Sequence, residues 1–229
     1  MIATLPTVQP VVVYPESDGQ PMAENTLQYQ WIVTIQGNLD LQFANDADVF
    51  VAGDNFIYPK EGDNTTVYAP DVYVAFGRPK GHRGSYRVWD EAGIFPQVIF
   101  EVLSPSNTVP QMTLKRQFYR KYGAEEYYVI DPYDGRVEAW VREGNRLVGV
   151  DDLSTFVSPR LGIRFEMQDG ELVVMGRSGR FLSFVELGQQ GEAERQRADA
   201  ATTRADAATK RADRLAAKMR ELGIDPDKL

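Results

Sequence analysis

The sequence has no cysteine and only one histidine, His82, and these two absences exclude several kinds of chemistry. Without cysteine there is no disulfide, thiolate nucleophile or cysteine-ligated zinc, which fits a reducing compartment. A single histidine cannot form a multi-histidine metal centre, and it gives little support to a serine-hydrolase triad. Any metal would therefore be held by oxygen atoms, which favours Mg²⁺, Mn²⁺ or Ca²⁺.

Long apolar runs and an excess of positive charge are also missing. No apolar segment approaches the roughly 18 residues needed to span a bilayer, and the N-terminus lacks the basic and apolar regions of a signal peptide. We therefore expect a cytoplasmic protein. The net charge of −8 argues against a broad nucleic-acid-binding surface, although a local basic patch could still contact phosphates.

The length of 229 residues suits one main domain with an appendage. Residues 1–25 are rich in Pro, Ser, Asp and Gly and predict an extended arm, with a possible edge strand at 11–14. Residues 26–188 carry the patterns of the main domain, and residues 189–229 predict a C-terminal helix.

The main domain opens with a segment, residues 26–43, whose apolar residues recur at helical spacing. Gly37 stands where a break would fall, and the second half alternates more like a strand. From Asp48 onward, short β-branched and aromatic runs separated by turn residues predict strands.

A βαβ unit is predicted in the middle of the chain. Strand 98–103, helix 111–122 and strand 126–131 follow one another through short loops, and Gly123 suits the end of the helix. Because a helical crossover joins parallel neighbours, we expect the two strands to be parallel.

Glu101 interrupts the apolar run of the first of these strands. A lone carboxylate there costs several kcal/mol unless it is paired or binds something. The following helix has an apolar stripe composed of Leu114, Phe118, Tyr119 and Tyr122. At 100° per residue Lys115 falls inside this stripe, so it should approach Glu101.

Asp71, which follows Pro70 at the start of another predicted strand, supplies a second carboxylate. Two carboxylates in an oxygen-lined pocket suit one or two hard cations. Such a metal polarises a phosphoryl oxygen and activates water, while a lysine stabilises charge. The alternatives are a turn cap for Asp71 and a structural ion pair for Glu101 and Lys115.

Three segments, PDVYVAFG, PQVIFEVLSPSN and KRQFYRKYGAEEYYVIDP, together resemble the "putative restriction endonuclease" family of the PD-(D/E)XK nuclease superfamily. The resemblance implies an α/β (α+β) restriction-endonuclease-like core, with a mixed central sheet flanked by helices, and a DNA substrate. It implies that Asp71 and Glu101 are catalytic ligands of Mg²⁺ or Mn²⁺. It also implies that Lys115 is the catalytic lysine, since Leu103 occupies the usual lysine position.

Two more positions are interpreted through this resemblance. Some nucleases of the superfamily use a glutamate of the first helix as an additional metal ligand, and Glu24 is the candidate here. Members often carry an acidic residue four positions before the lysine, where this chain has Gln111.

The segment 78–87 is a basic loop that directly follows the predicted Asp71 strand. Lys80, Arg83 and Arg87 could hold a nucleic-acid backbone near the scissile phosphate. A solvated loop without a binding role is the alternative.

The C-terminal segment contains a seven-residue repeat, RADAATT, RADAATK and RADRLAA. Residues spaced alternately by three and four form a coiled-coil seam: Ala198, Ala201, Ala205, Ala208, Ala212, Leu215, Met219 and Leu222. Residues 192–222 should therefore form a dimer or bind a partner helix with modest affinity. A lone solvated helix is the alternative, because Ala, Arg and Lys favour helices by themselves.

The sequence thus predicts a Mg²⁺-dependent DNA endonuclease that hydrolyses phosphodiesters with metal-activated water. The alternative is a catalytically weakened nuclease fold that acts as a binding or scaffold protein through its coiled coil. Gln111 and the acidic net charge favour the alternative, whereas Lys115 within an apolar stripe favours the enzyme.

Overall fold

A computed structural model of the protein describes residues 12–17, 19 and 22–222. The chain divides into two units, Met1–Ser183 and Phe184–Leu229. The first unit contains α1 (Thr26–Gln42), β1 (Val49–Ala52), β2 (Ile57–Tyr58), β3 (Val72–Phe76), β4 (Tyr86–Arg87), β5 (Val98–Val102), α2 (Val109–Tyr122), β6 (Glu126–Asp131), β7 (Arg136–Glu143), β8 (Arg146–Gly149), β9 (Arg164–Gln168), β10 (Glu171–Gly176) and β11 (Gly179–Arg180). The second unit contains α3 (Phe184–Glu221).

The central sheet has six strands in the order β1-β3-β5-β6-β7-β8. β5 and β6 are parallel, as the predicted βαβ unit requires, and the other neighbouring strands are antiparallel. The predicted mixed sheet is therefore confirmed. A smaller antiparallel sheet, β11-β10-β9, and the short pair β2-β4 complete the strands of the described residues.

Helices cover both faces of the central sheet, so its middle strands are buried on both sides. On β5 the side chains alternate: Phe100 belongs to the core cluster of α1, and Ile99 belongs to the cluster of α2. Glu101 points to the same face as Ile99, because residues two apart on a strand share a face. The sheet therefore delivers this carboxylate to α2.

α1 is one uninterrupted helix, so the predicted break at Gly37 and the strand-like second half are wrong. Asn25 caps it by accepting a hydrogen bond from the Gln28 backbone N–H. Ile32, Ile35 and Leu39 pack on the sheet at helical spacing, and their burial outweighs the low helix propensity of glycine.

α2 begins at Val109, two positions before the predicted start, because Thr108 and Gln111 form a reciprocal capping box. It ends at Gly123, whose φ of 121° only glycine adopts readily. Tyr119 is fully buried as predicted, but Leu114 is 56% exposed and does not belong to the buried stripe.

Within the N-terminal arm, residues 12–17 form no strand, so the predicted edge strand is wrong there; position 11 lies outside the described residues. The Tyr14 ring contacts the Tyr58 and Trp89 rings at centroid distances of 5.1 and 5.0 Å. The Tyr58 hydroxyl donates to the Pro15 carbonyl oxygen at 2.8 Å.

α3 is 38 residues long and begins before the predicted domain boundary at 189. None of its described residues is buried, and Leu215 is 58% exposed. Of the helices in the described part of the chain, none combines the length and apolarity of a membrane span.

The link between β1 and β2 packs closely on the residue that precedes β3. A Cβ atom at Gly53 would lie 2.1 Å from the carbonyl oxygen of Asp71. The backbone N–H of the next residue, Asp54, donates a hydrogen bond to the carbonyl oxygen of Pro70, with 3.0 Å between nitrogen and oxygen. Only glycine allows this approach without a backbone shift at Asp71.

Gly53→Ala should therefore lower the free energy of unfolding by about 1–3 kcal/mol, the usual cost of overpacking a tight site. Gly37→Ala is the matched control, because a Cβ there meets nothing within 4 Å and alanine favours the helix by about 1 kcal/mol. Urea unfolding of both variants measures the difference. Equal stability of the two variants would contradict the close approach at Gly53.

Candidate active site

An acidic cavity of about 300 Å³ lies where β3, β5 and α2 meet the arm and the start of α1. Its charged lining residues are Glu16, Glu24, Asp54, Asp71, Glu101 and Lys115. Carboxylates thus outnumber the single ammonium group among these described residues. A cavity with this balance attracts cations and repels unaccompanied phosphate.

Glu101, at the floor of the cavity, is 2% exposed and is paired through both oxygens. Its Oε2 atom accepts from the Lys115 ammonium at 2.6 Å, and its Oε1 atom accepts from the Tyr119 hydroxyl at 2.8 Å. Lys115 and Tyr119 stand four residues apart on α2, so one helix face supplies both donors. Tyr119 was predicted only as part of the apolar stripe of this helix, although its i+4 spacing from Lys115 was a signal for this second role.

Asp71 is tied to the neighbouring strand β5. Its Oδ2 atom accepts from the Val102 backbone N–H at 2.6 Å, directly beside Glu101 in the chain. The two carboxylates therefore share one end of the sheet. Burial, followed by the negative charge of Glu101, raises the pKa of Asp71 to about 8, although Lys115 and the Val102 N–H oppose this rise.

Lys115 has a side chain that is 22% exposed. Burial lowers its pKa, but the charges of Glu101 and Asp71 outweigh burial and leave the pKa above its ordinary value. The group is therefore an ammonium ion at neutral pH. Leu103, the residue at the usual lysine position of the motif, does not line the acidic cavity.

Two further acidic residues approach the same cavity. Glu24 lies just before α1 and accepts a hydrogen bond from the Ser106 hydroxyl. Asp54 has a left-handed backbone, with φ of 53°, and its charge contributes to the raised pKa of Asp71. Asp54 was not predicted as a site residue, because its proximity to Asp71 depends on the fold.

The donor set of the cavity fits a hard cation. Among the described residues no three His, Asp or Glu side chains form a group that could hold a metal ion, but Asp71 and Glu101 lie close enough for the charge of Glu101 to raise the pKa of Asp71. Mg²⁺ is commonly held by one or two carboxylates together with water and phosphate oxygens. A two-carboxylate site suits this coordination, and Glu24 as a third ligand stays a prediction.

The basic loop is largely occupied by contacts within the protein. Glu91, which is 7% exposed, accepts from Arg83 Nε at 2.6 Å and from Arg78 Nε at 2.7 Å. The Arg83 guanidinium also lies 3.9 Å from the centroid of the Phe50 ring. Buried pairing of this kind neutralises Arg83, and Glu91 as its partner was not identified from the sequence.

The two remaining predicted contacts are more accessible. Lys80 approaches Asp40 at 3.3 Å with its side chain 35% exposed, and Arg87 approaches Asp90 at 3.9 Å with 37% exposed. Neither residue is among the described residues that line the acidic cavity.

Gln111 occupies the position at which members of the resembled family often carry an acidic residue. Its side chain caps the helix α2. Its side-chain oxygen accepts from the backbone N–H and the hydroxyl of Thr108 at 3.0 and 2.9 Å. It is exposed and does not line the acidic cavity. A glutamine satisfies this helix cap as well as a glutamate would.

Comparisons with known proteins identify a matching family. The model of the Uma2 family, described as "Putative restriction endonuclease", matches residues 17–161, more than half of the 229-residue chain. A crystal structure from Anabaena variabilis, described as a "putative nuclease belonging to DUF820", is similar at a TM-score of 0.45 and 14% identity, covering 58% of this chain and 72% of that chain. No curated protein matches the chain.

The raised pKa of Asp71 predicts how stability depends on pH when metal is absent. The folded pKa rises from the ordinary 3.8 to about 8, so the stability that protonation supplies is complete below about pH 4 and is lost as pH rises through 8. Asp71→Asn keeps the acceptor for Val102 without the charge. At pH 8.5 we expect it to be about 1–3 kcal/mol more stable than the wild type, with the gain vanishing near pH 4.

Urea unfolding across this pH range, in the presence of a chelator, measures the effect. Asp134→Asn is the control, because it makes the same chemical change at an exposed turn residue. Parallel stability curves for the wild type and Asp71→Asn would contradict the buried, protonated carboxyl group.

Proposed function

Because the chain belongs to the Uma2 family, whose description is "Putative restriction endonuclease", we propose that it is a Mg²⁺-dependent endonuclease that hydrolyses phosphodiester bonds in DNA. The supporting observation is the convergence of Asp71, Glu101 and Lys115 in one acidic cavity. Two acids and one lysine from separate parts of the chain meet there, and they offer oxygen ligands for a hard cation beside a positive charge that can stabilise a phosphoryl group.

Asp71 and Glu101 would hold Mg²⁺, or Mn²⁺ in its place. When bound, the ion polarises a phosphoryl oxygen and lowers the pKa of a water molecule. The protein prepares both ligands in advance, since the Val102 N–H orients Asp71 and the Tyr119 hydroxyl orients Glu101. Fixed ligands need no reorganisation when substrate arrives.

Lys115 supplies the positive charge of the protein in the acidic cavity. Its ammonium group is held at 2.6 Å from Glu101 and stays protonated, so it can face the charge that develops on the phosphoryl group. The same ion pair would keep the lysine from swinging into solvent. A lysine on α2 thereby replaces the strand lysine of the usual motif.

The nucleic-acid backbone would be contacted by Lys80 and Arg87 of the basic loop, which retain exposed side-chain surface. Arg83 is better suited to shaping this loop through Glu91, because its guanidinium is already paired.

Lys115→Met should reduce the Mg²⁺- or Mn²⁺-dependent cleavage rate by about 10²–10³-fold, the usual effect of removing one charge-stabilising donor. Lys121→Met is the matched control, because Lys121 is an exposed lysine of the same helix outside the cavity. Its rate should stay close to that of the wild type. Cleavage is followed on supercoiled, linear and single-stranded DNA.

Metal binding is measured separately from cleavage. Mg²⁺ or Mn²⁺ should raise the melting temperature of the wild type, and Glu101→Gln should abolish this rise. The proposal is wrong if the purified wild type cuts no DNA with either metal, or if cutting survives both Lys115→Met and Asp71→Asn.

A second candidate function, assembly through α3, is favoured by the exposure of its heptad seam. Leu215 is 58% exposed and Leu222 is 70% exposed, although an alternating three–four pattern normally buries such residues. We propose that a second copy of α3 covers the seam and forms a dimer. The alanines of the seam allow close helix approach but bury little apolar area, so the dimer should be weak.

Leu215→Lys, which places a charge in the seam, should convert the dimer to a monomer in sedimentation equilibrium. Ala207→Lys is the control, because Ala207 is an exposed residue of the same helix outside the seam. It should leave the association constant nearly unchanged. A wild-type protein that remains monomeric at high concentration would refute assembly through α3.

A further inference from the structure

A second cavity, of about 230 Å³, lies beside the candidate active site, between α2 and the strands β6 and β7. Asn107 lines both cavities, so the loop that precedes α2 separates them. The neighbouring residues Lys115 and Arg116 of α2 line one cavity each. A ligand that extends over this loop would therefore occupy both cavities.

The floor of this second cavity is aromatic. Tyr127 of β6 and Trp140 of β7 are cross-strand partners, and their ring centroids lie 5.4 Å apart. The Arg116 guanidinium lies 4.5 Å from the centroid of the Trp140 ring. The guanidinium therefore lies over the Trp140 ring, and the plane of a guanidinium group, like that of an aromatic ring, stacks with a planar π-system.

One polar atom in this floor is unsatisfied. The Tyr127 hydroxyl is buried, and among the described residues it has no hydrogen-bond partner. Burial, followed by the negative charge of Glu101, raises the pKa of Tyr127, so the hydroxyl remains a donor at neutral pH. A buried donor without a partner is unfavourable, and an acceptor on a bound ligand would satisfy it.

The charge of the second cavity differs from that of the first. Its charged lining residues are two arginines, Arg116 and Arg136, and one acid, Glu138, whereas carboxylates are the majority of the charged residues in the first cavity. Leu103, at the usual lysine position of the motif, forms part of its apolar wall. The preferred ligand is therefore planar, carries hydrogen-bond acceptors and is linked to a phosphate that can reach the metal-binding cavity.

We propose that the second cavity binds a nucleobase of the nucleic-acid substrate, stacked on the Arg116–Trp140 pair and hydrogen-bonded to the Tyr127 hydroxyl, while the adjoining phosphate lies in the acidic cavity. This inference rests on the proposed nuclease function and specifies its substrate class. A base inside a duplex is covered by its stacked neighbours and can enter such a cavity only after it is unpaired and flipped out of the stack, which costs a few kcal/mol. The substrate is therefore single-stranded, or locally unpaired at the site of cleavage.

Three probes test the inference. They are a short fluorescent oligothymidylate, a strand of equal length with abasic sites in place of bases, and the duplex that the oligothymidylate forms with a complementary oligodeoxyadenylate. Binding is measured by anisotropy with Ca²⁺, and the strands are checked for integrity afterwards. The wild type should bind the oligothymidylate about tenfold more tightly than the abasic strand. It should also prefer the oligothymidylate to the duplex.

Tyr127→Phe removes only the hydroxyl group and should weaken oligothymidylate binding at least threefold, while abasic binding and the melting temperature are maintained. Trp140→Leu should remove most of the preference for bases. Tyr133→Phe is the control, because Tyr133 is exposed and does not line the second cavity. A purely structural role for Tyr127 would change stability without changing discrimination between the two strands.

The inference is overturned if the wild type binds the abasic strand or the duplex as tightly as the oligothymidylate, or if Tyr127→Phe leaves binding unchanged. Failure of the proposed function has a different signature. In that case no strand is cut with Mg²⁺ or Mn²⁺, yet binding that depends on Tyr127 and on the base persists, and the second cavity is still a nucleobase site.

Discussion

A carboxylate inside the most buried strand of the sheet must be paired, and the arrangement of the candidate active site depends on this requirement. Breaking a buried ion pair by removing one partner typically costs about 3–5 kcal/mol, because the remaining charge is stranded. Glu101 escapes this cost through Lys115 and Tyr119, both on α2. The β5–α2–β6 unit is therefore held by a polar contact as well as by apolar packing.

A second polar contact, between Asp71 and β5, places the site at one end of the sheet. Asp71 precedes β3, and its bond to the Val102 N–H aligns β3 and β5 at this end. Close packing of Gly53 against Asp71 fixes the neighbouring turn and brings Asp54 near. The result is an acidic cavity in which Lys115 stays charged and the pKa of Asp71 is raised, so that a cation binding there would displace the Asp71 proton to solvent.

The loop before α2 and the first turns of this helix link the acidic cavity to the aromatic one. Lys115 and Arg116 are adjacent in sequence, yet their side chains line different cavities, because successive helix positions are rotated by about 100°. One short helix thus contributes side chains to two cavities, one acidic and one aromatic. A substrate that spans both would explain why the second cavity combines stacking surface with an unsatisfied donor.

How much of this could be predicted from the sequence depends on the range of each contact. The lysine approaching Glu101 and the parallel βαβ strands were predictable, because both follow from helical and strand periodicity over a few residues. Leu114 and Gly37 were misjudged for a complementary reason: periodicity does not reveal how wide a buried face is, or how much tertiary packing a helix receives.

The sequence by itself determined the approach of Lys115 to Glu101, the parallel orientation of β5 and β6 and the exclusion of cysteine and multi-histidine chemistry, since these depend on composition and local spacing. Only the tertiary structure decided that Glu91 neutralises Arg83, that Asp54 lies beside Asp71, and that Tyr127 faces a cavity with its hydroxyl unsatisfied. Each of these is a contact between elements that are brought together by the sheet. Their geometry is set by strand order and close packing, which no local pattern encodes.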